Sequence, residues 1–320
     1  MCGPTAASAV LYKKNSTSST LTDDSSSVPP EDNNGVLLYD DGPIQYTDEE
    51  LDAMRQVKEL LHSHNEKHDL DGKSSTMIDY ERVGLKYIAM TTIISKNRPD
   101  EAFDKIKKFL LALIQVELTA DAVSDEELSG DDDCMQELKG YFIPYHTCGV
   151  DEFGRDSMWI RGNDRVYITL EEQQKNVKAG ILYHMAIHSN PNTLRYGLAN
   201  FVIDITDKPT TTSSSAASAA ESKLQKINQS FPLRPQAILI VGATGLKRMV
   251  VNALIKVASI FTKIKILQRI KFTSVEEAIE LFPNDTQPLH YGGKGLNGIT
   301  QEDIPMWVKE RIESFPIPEL

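Results

Sequence analysis

Apolar and polar positions alternate along this chain in three different rhythms. From Leu51 the apolar residues fall at helical spacing, with Leu51, Met54, Val57 and Leu61 on one face. Thr47 precedes this run and Glu50 follows three residues later, the pattern of a capping box, and Gly72 closes it. Two more helices are predicted at about 78–94 and 99–117, the second opening on Pro99 at its first turn. After Tyr141 the rhythm changes. Ser157–Ile160 and Gly197–Ile205 (GLANFVIDI) read as strands, with a helix over 171–189 between them. Ala237–Val241 is a second near-continuous apolar strand, and Lys263–Phe272 (KIKILQRIKF) alternates like a half-exposed one. Continuous apolar strands separated by helices predict a parallel sheet covered on both faces. The fold class expected is α/β, a helical N-terminal region followed by a mainly parallel sheet with flanking helices.

The stretches between these elements set the expected boundaries. Residues 1–45, rich in Ser, Thr and Asp, cannot bury enough apolar surface to offset their ordering entropy and are expected to be disordered. Residues 46–118 form the helical region, and 119–139, with Asp131-Asp132-Asp133, read as a solvated acidic linker. The sheet domain is placed at 140–296 and a helical C-terminal tail at 297–320. Residues 208–220 (KPTTTSSSAASAA) form a low-complexity insertion, turning helical towards its end.

Charge sharpens this picture. The net charge of −12 is uneven: residues 1–160 hold 15 Lys/Arg against 31 Asp/Glu, and residues 161–320 hold 19 against 15. Residues 222–275 carry ten cations and no acid, which points to a local anionic partner and away from general nucleic-acid binding. No run reaches the roughly 18 apolar residues of a membrane span, and no secretory signal is visible. Cys2, Cys134 and Cys148 show no paired spacing, so reduced thiols and a cytoplasmic location are expected.

Candidate chemistry is sparse. Gly242-Ala243-Thr244-Gly245 after a strand mimics a dinucleotide turn, but Arg248 stands at the third glycine position and no acid lies between Glu221 and Glu276 to take a ribose hydroxyl. An NAD(P)-dependent oxidoreductase is therefore a remote alternative. His62, His64 and His68 lack the acid or cysteine cluster a metal site needs, so no metal is expected. A calcium-loop mimic at Asp69, Asp71 and Gly72 has Lys67 and Ile78 where its end ligands belong. No nucleophile elbow, zinc-protease or phosphate-loop motif occurs, so the protein is expected not to be an enzyme.

The segment from Leu246 to Phe261 is apolar around most of a helix, with a narrow stripe of Arg248, Asn252, Lys256 and Ser259. "FPLRPQAILIVGATG", this segment, "KIKILQRIKF", "VEEAIELFP" and "QPLHYGGKG" follow the order of a CRAL-TRIO lipid-binding domain, which the chain resembles. The closing Pro288-Leu289-His290-Tyr291-Gly292-Gly293 fits, and so do Asp151, Gly154 and Arg155 of an opening hairpin. The family's Asn-x-Pro after the central strand is replaced here by Gly242-Ala243-Thr244. Leu233 stands where phosphatidylinositol-transfer members often carry a Glu, and the pattern is closer to tocopherol- and retinaldehyde-binding members.

The resemblance implies a non-catalytic carrier or sensor of a hydrophobic lipid, with no cofactor other than that ligand and an apolar gate helix over the cavity. The expected lining is Val202, Ile203, Ile205, Ile238, Ile240, Met249, Val250, Ala253, Leu254 and Val257. A cationic rim of Lys247, Arg248, Lys256, Lys263, Lys265 and Arg269 is expected to meet an anionic membrane transiently, with Lys265 and Arg269 on phosphoinositide phosphates. The protein is expected to be monomeric and to bind no nucleic acid. An interaction scaffold of the same fold, with its cavity filled, is the alternative.

Overall fold

The computed structural model describes residues 42–70, 78–129, 138, 145–151, 153–161, 167–206, 215–243, 268–282, 291 and 303–320. The chain opens with α1 (Asp48–Leu70), α2 (Leu85–Ile94) and α3 (Pro99–Leu113), packed on one another. The capping box is present: Glu50 N–H donates to Thr47 Oγ1 and Thr47 N–H to Glu50 Oε2. Pro99 occupies the first turn of α3, where its missing N–H costs nothing.

An α/β unit follows: β1 (Tyr145–Val150), β2 (Asp156–Arg161), α5 (Leu170–His188), α6 (Pro191–Tyr196), β3 (Leu198–Asp204), α7 (Ser215–Ser230), β4 (Pro235–Val241), β5 (Ile270–Thr273), α8 (Val275–Ile279) and α9 (Ile304–Ser314). Spatial strand order equals chain order, β1-β2-β3-β4-β5. The β1–β2 hairpin is antiparallel and β2 to β5 are parallel. In the hairpin turn Asp151 Oδ1 accepts the N–H groups of Phe153 and Arg155, and the Arg155 guanidinium closes on Asp151 Oδ2 at 2.7 and 3.0 Å.

Several boundaries differ from those expected. The acidic stretch after α3 is not a solvated linker up to Leu128: Ala120, Ala122, Val123 and Leu128 are buried, and Asp125–Leu128 form a helical turn, α4. The reason is local. Gly84 precedes α2 without a capping side chain, and Asp125 supplies one, accepting from Leu85 N at 2.9 Å and Lys86 N at 3.1 Å. A Cβ on Gly84 would meet Asp125 N at 2.5 Å, so only glycine admits this approach. Order also starts before the expected limit of the N-terminal tail, because Ile44 is buried and Tyr46 Oη donates to Pro316 O. The helix expected over 78–94 begins as a 3-10 turn, Tyr80–Arg82, before α2. Of the strand expected over Lys263–Phe272, residues 263–267 lie outside the described residues, Gln268 and Arg269 are not in a strand, and β5 takes in Ile270–Thr273.

Buried residues from the expected helical region, sheet domain and C-terminal tail pack together. One core contains Tyr87, Phe109 and Leu113 from the N-terminal helices, Ile181, Leu182 and Met185 from α5, and Met158 from the sheet. The last helix belongs to it through Trp307, Val308, Ile312 and Phe315. Lys86 Nζ caps the end of α9 at Ile312 O, 2.9 Å away, and Arg311 reaches buried Asp156. A helix carrying that many buried apolar side chains is part of the core, whatever its place in the chain.

Candidate functional site

Side chains of successive strand residues point to opposite faces, and the register assigns each face. One carries the row Trp159, Val202, Leu239 and Lys271, followed by Asp204, Val241 and Thr273. Here Trp159, Val202, Leu239 and Val241 form a compact second core with Ala278 and Phe282, roofed by α8 and by Tyr291. The other face carries Met158, Phe201, Ile238 and Ile270 in one row and Ile203, Ile240 and Phe272 in the next. Right-handed crossovers between strands in this order bring α5, α6 and α7 over one and the same face. Met158 is sealed there and Phe201 packs against the main core. Ile240 is also buried, but Ile203, Ile238, Ile270 and Phe272 are only half-buried. With strands about 4.8 Å apart, three of them make an apolar platform about 10 Å across.

The expected cavity lining is therefore corrected at one position. Val202 lies on the opposite face from Ile203, Ile238 and Ile240, fully buried against Trp159 and Leu239, and cannot line a cavity with them. Ile205 lies just past β3, half-buried, its N–H continuing the ladder to Val241 O. Phe201, Ile270 and Phe272 share the face of Ile203, Ile238 and Ile240, as a strict period of two through GLANFVIDI and RIKF would have selected. Met249, Val250, Ala253, Leu254 and Val257 lie outside the described residues, as do Lys247, Arg248, Lys256, Lys263 and Lys265 of the rim. Arg269 is described: its guanidinium donates at 2.8 Å to the carbonyl of Pro235, the first residue of β4.

The carboxyl ends of the strands hold a polar knot. Buried Asp204 accepts from Trp159 Nε1 (3.1 Å), Thr206 N (3.0 Å), Thr206 Oγ1 (2.5 Å) and Tyr291 Oη (2.5 Å). Burial pushes its carboxyl up, but the hydrogen bonds from Thr206, Tyr291 and Trp159 outweigh this and hold it below the usual carboxylate range. Gly242 turns the chain out of β4 with φ +76°, and a Cβ there would lie 2.6 Å from Thr206 Cα. That glycine serves close packing of β4's end on β3's end, a role unrelated to phosphate. Tyr291, the tyrosine of the closing motif, is thereby tied to the central strand 87 residues earlier.

The histidine cluster divides. His62 lies between Glu66 and Glu81, and the Glu81 hydrogen bond followed by the Glu66 charge raises its pKa. His64 instead packs edge-on against Tyr80 and Phe103. Two buried histidines that sequence reasoning passed over, His184 and His188, lie one turn apart on α5.

No protein-family model matches the chain, and no curated protein matches it in sequence. Among the described residues no helix is long and apolar enough to cross a membrane. The fold is mixed α/β with four parallel strands and an antiparallel edge strand.

Proposed function

We propose that this protein is a non-catalytic binder of a hydrophobic lipid, in the manner of the CRAL-TRIO domains that its sequence resembles. The observation that supports this is the half-buried apolar platform of Ile203, Ile238, Ile270 and Phe272, beside a second face that is sealed. Covering a Val, Leu, Ile or Phe side chain completely is worth roughly 1.5–3 kcal/mol, so four partly open ones reward a ligand that completes their burial. Lys247, Arg248, Lys256, Lys263 and Lys265 stand in the connection between β4 and β5, with Arg269 at its end. In this reading they meet anionic headgroups and lend the protein a transient hold on membranes, at about 1 kcal/mol per cation near the surface.

Native mass spectrometry of the purified chain tests the first part, with a co-purifying lipid expected at one per protein. Absence of such a lipid, together with no uptake from labelled vesicles, would leave the interaction-scaffold alternative. For the second part, Lys265→Ala with Arg269→Ala should weaken binding to phosphoinositide-containing vesicles at low salt, where such attraction is strongest. Equal binding by variant and parent would sink the rim.

A further inference from the structure

The 3-10 turn Tyr80–Arg82 is fastened by ion pairs on two sides. On one, Arg82 grips Asp121 through two contacts, Nε to Oδ1 and Nη1 to Oδ2, each 3.0 Å. On the other, Glu81 Oε1 meets Nδ1 of His62 on α1. All four residues line one cleft of about 740 Å³, with buried Leu61 and Val83 at its base.

The two fastenings differ in chemistry. A guanidinium keeps its charge at any physiological pH, so the Arg82 pair is permanent, whereas an imidazole titrates there. Both ring nitrogens of His62 face carboxylates, Nδ1 towards Glu81 and Nε2 towards Glu66 at 3.4 Å. A carboxylate only accepts, so serving both requires a proton on each nitrogen. The neutral ring has one proton. One carboxylate then faces a lone pair, and the other keeps a bond without the ionic assistance that roughly doubles its strength. The surroundings favour the cation. Lys58 and Glu66 flank His62 one turn away on α1, Asp79 caps the turn, and Asp121, Asp125 and Glu126 line the cleft. Of these, Asp121 is engaged by Arg82 and Asp125 by the first N–H groups of α2. Lys86 of α2 is turned away to Ile312 O, and Asp100 of α3 lies with Glu59 and Ser63 on another flank of α1. The Glu81 hydrogen bond, then the Glu66 charge, raises the ring above its ordinary value of 6.5. The added hold is therefore complete below that ordinary value and is lost as pH rises through the raised one.

We propose that His62 and Glu81 form a pH-operated clasp, which holds the turn against α1 when the imidazole is charged and loosens that side of the cleft when it is neutral. The two side chains are 57% and 50% exposed, so the effect is local and is read from the turn itself, not from global stability. The test uses the whole chain and follows amide exchange with water by NMR from about pH 6 to about pH 9, each rate divided by the intrinsic rate at that pH. Protection of the Arg82 N–H, which donates to Asp79 O, and of the Val83 N–H, which donates to Tyr80 O, should fall about threefold along the titration of the His62 ring. The Leu85 and Lys86 amides, held by Asp125, should stay level. His62→Gln keeps a neutral donor that cannot titrate, so its turn should show the loosened level at every pH. Glu66→Gln should move the midpoint to lower pH and leave the low-pH level in place. A midpoint that does not follow the His62 ring, an undiminished pH dependence in His62→Gln, or an equal loss at Leu85 would overturn the clasp.

Discussion

On β3 and β4, Val202 and Leu239 lie under α8 and Tyr291, while their chain neighbours Ile203 and Ile238 remain half-buried on the other side of the sheet. Both pairs are aliphatic and both belong to the same parallel strands. The difference lies in what covers them. On one side a short helix and a single tyrosine seal a small patch around Trp159, with Asp204 gathering donors from three parts of the chain. On the other side the helices close over Met158 and Phe201 and leave the β4–β5 part of the platform less covered. Equal hydrophobicity along a strand thus says that both faces meet something apolar, and leaves open whether that is protein or ligand.

The largest effect expected is common to both faces. Burial, and secondarily its neighbour His188, pushes His184 down to about 3, and burial pushes His188 down to about 4 against the weaker opposing pull of the His184 carbonyl. Both values are depressed from about 6.5 in the unfolded chain, so their contribution is fully present above pH 6.5 and is lost as pH falls towards 4 and 3. At about 1.4 kcal/mol per unit for each group, lowering the pH from 6.5 to about 4.5 should remove on the order of 5 kcal/mol. Urea titrations across that range measure it. Because α5 and the sheet share one core, Trp159 emission, read in a Trp307→Phe background, and lipid uptake should fail in a single transition. Separate midpoints would show that the two faces fail independently.

Next in size is a neighbouring pair. Leu239→Ala, on the sealed face, should cost about 2–5 kcal/mol, whereas Ile238→Ala, one residue away, should cost about 1 kcal/mol. Chemical denaturation of both variants decides the comparison, and equal losses would break it. Tyr291→Phe should cost about 1.5 kcal/mol, since Asp204 loses one charge-assisted donor and keeps three. A red shift of Trp159 emission should accompany it, because Tyr291 roofs that ring at 5.5 Å. Smallest in stability is Ile203→Thr, about 0.5 kcal/mol, since a β-branched side chain suits a half-buried strand position. Its expected consequence is functional: a several-fold loss of lipid uptake from vesicles with folding intact. Unchanged uptake would remove Ile203 from the platform's role.

Much of the fold was legible because local chemistry announces it. Thr47 with Glu50 and Pro99 mark helix starts through backbone N–H groups that no other element supplies, and both marks are kept in the structure. Asp151, Gly154 and Arg155 likewise form the hairpin turn that the resemblance implied. The candidate site was less legible. Val202 was grouped with Ile203 on apolarity alone, although a strand's period of two separates them. The acidic stretch was misread because composition counts charges and overlooks what one carboxylate does: Asp125 caps α2, and its neighbours Val123 and Leu128 follow it into the core.

The sequence by itself determined where α1 and α3 begin, the helix over Leu170–His188 and the apolar strands β2, β3 and β4, and that those strands are apolar enough to be covered on both sides. Those properties depend on residues within a few positions of one another. Only the tertiary structure decided that α9 and the N-terminal helices share one core, that Tyr291 closes on Asp204, and that Asp125 caps α2 from 40 residues away. Such pairings join residues separated by tens to hundreds of positions. Each is chosen by the competition of whole faces for burial, which no short window of sequence contains.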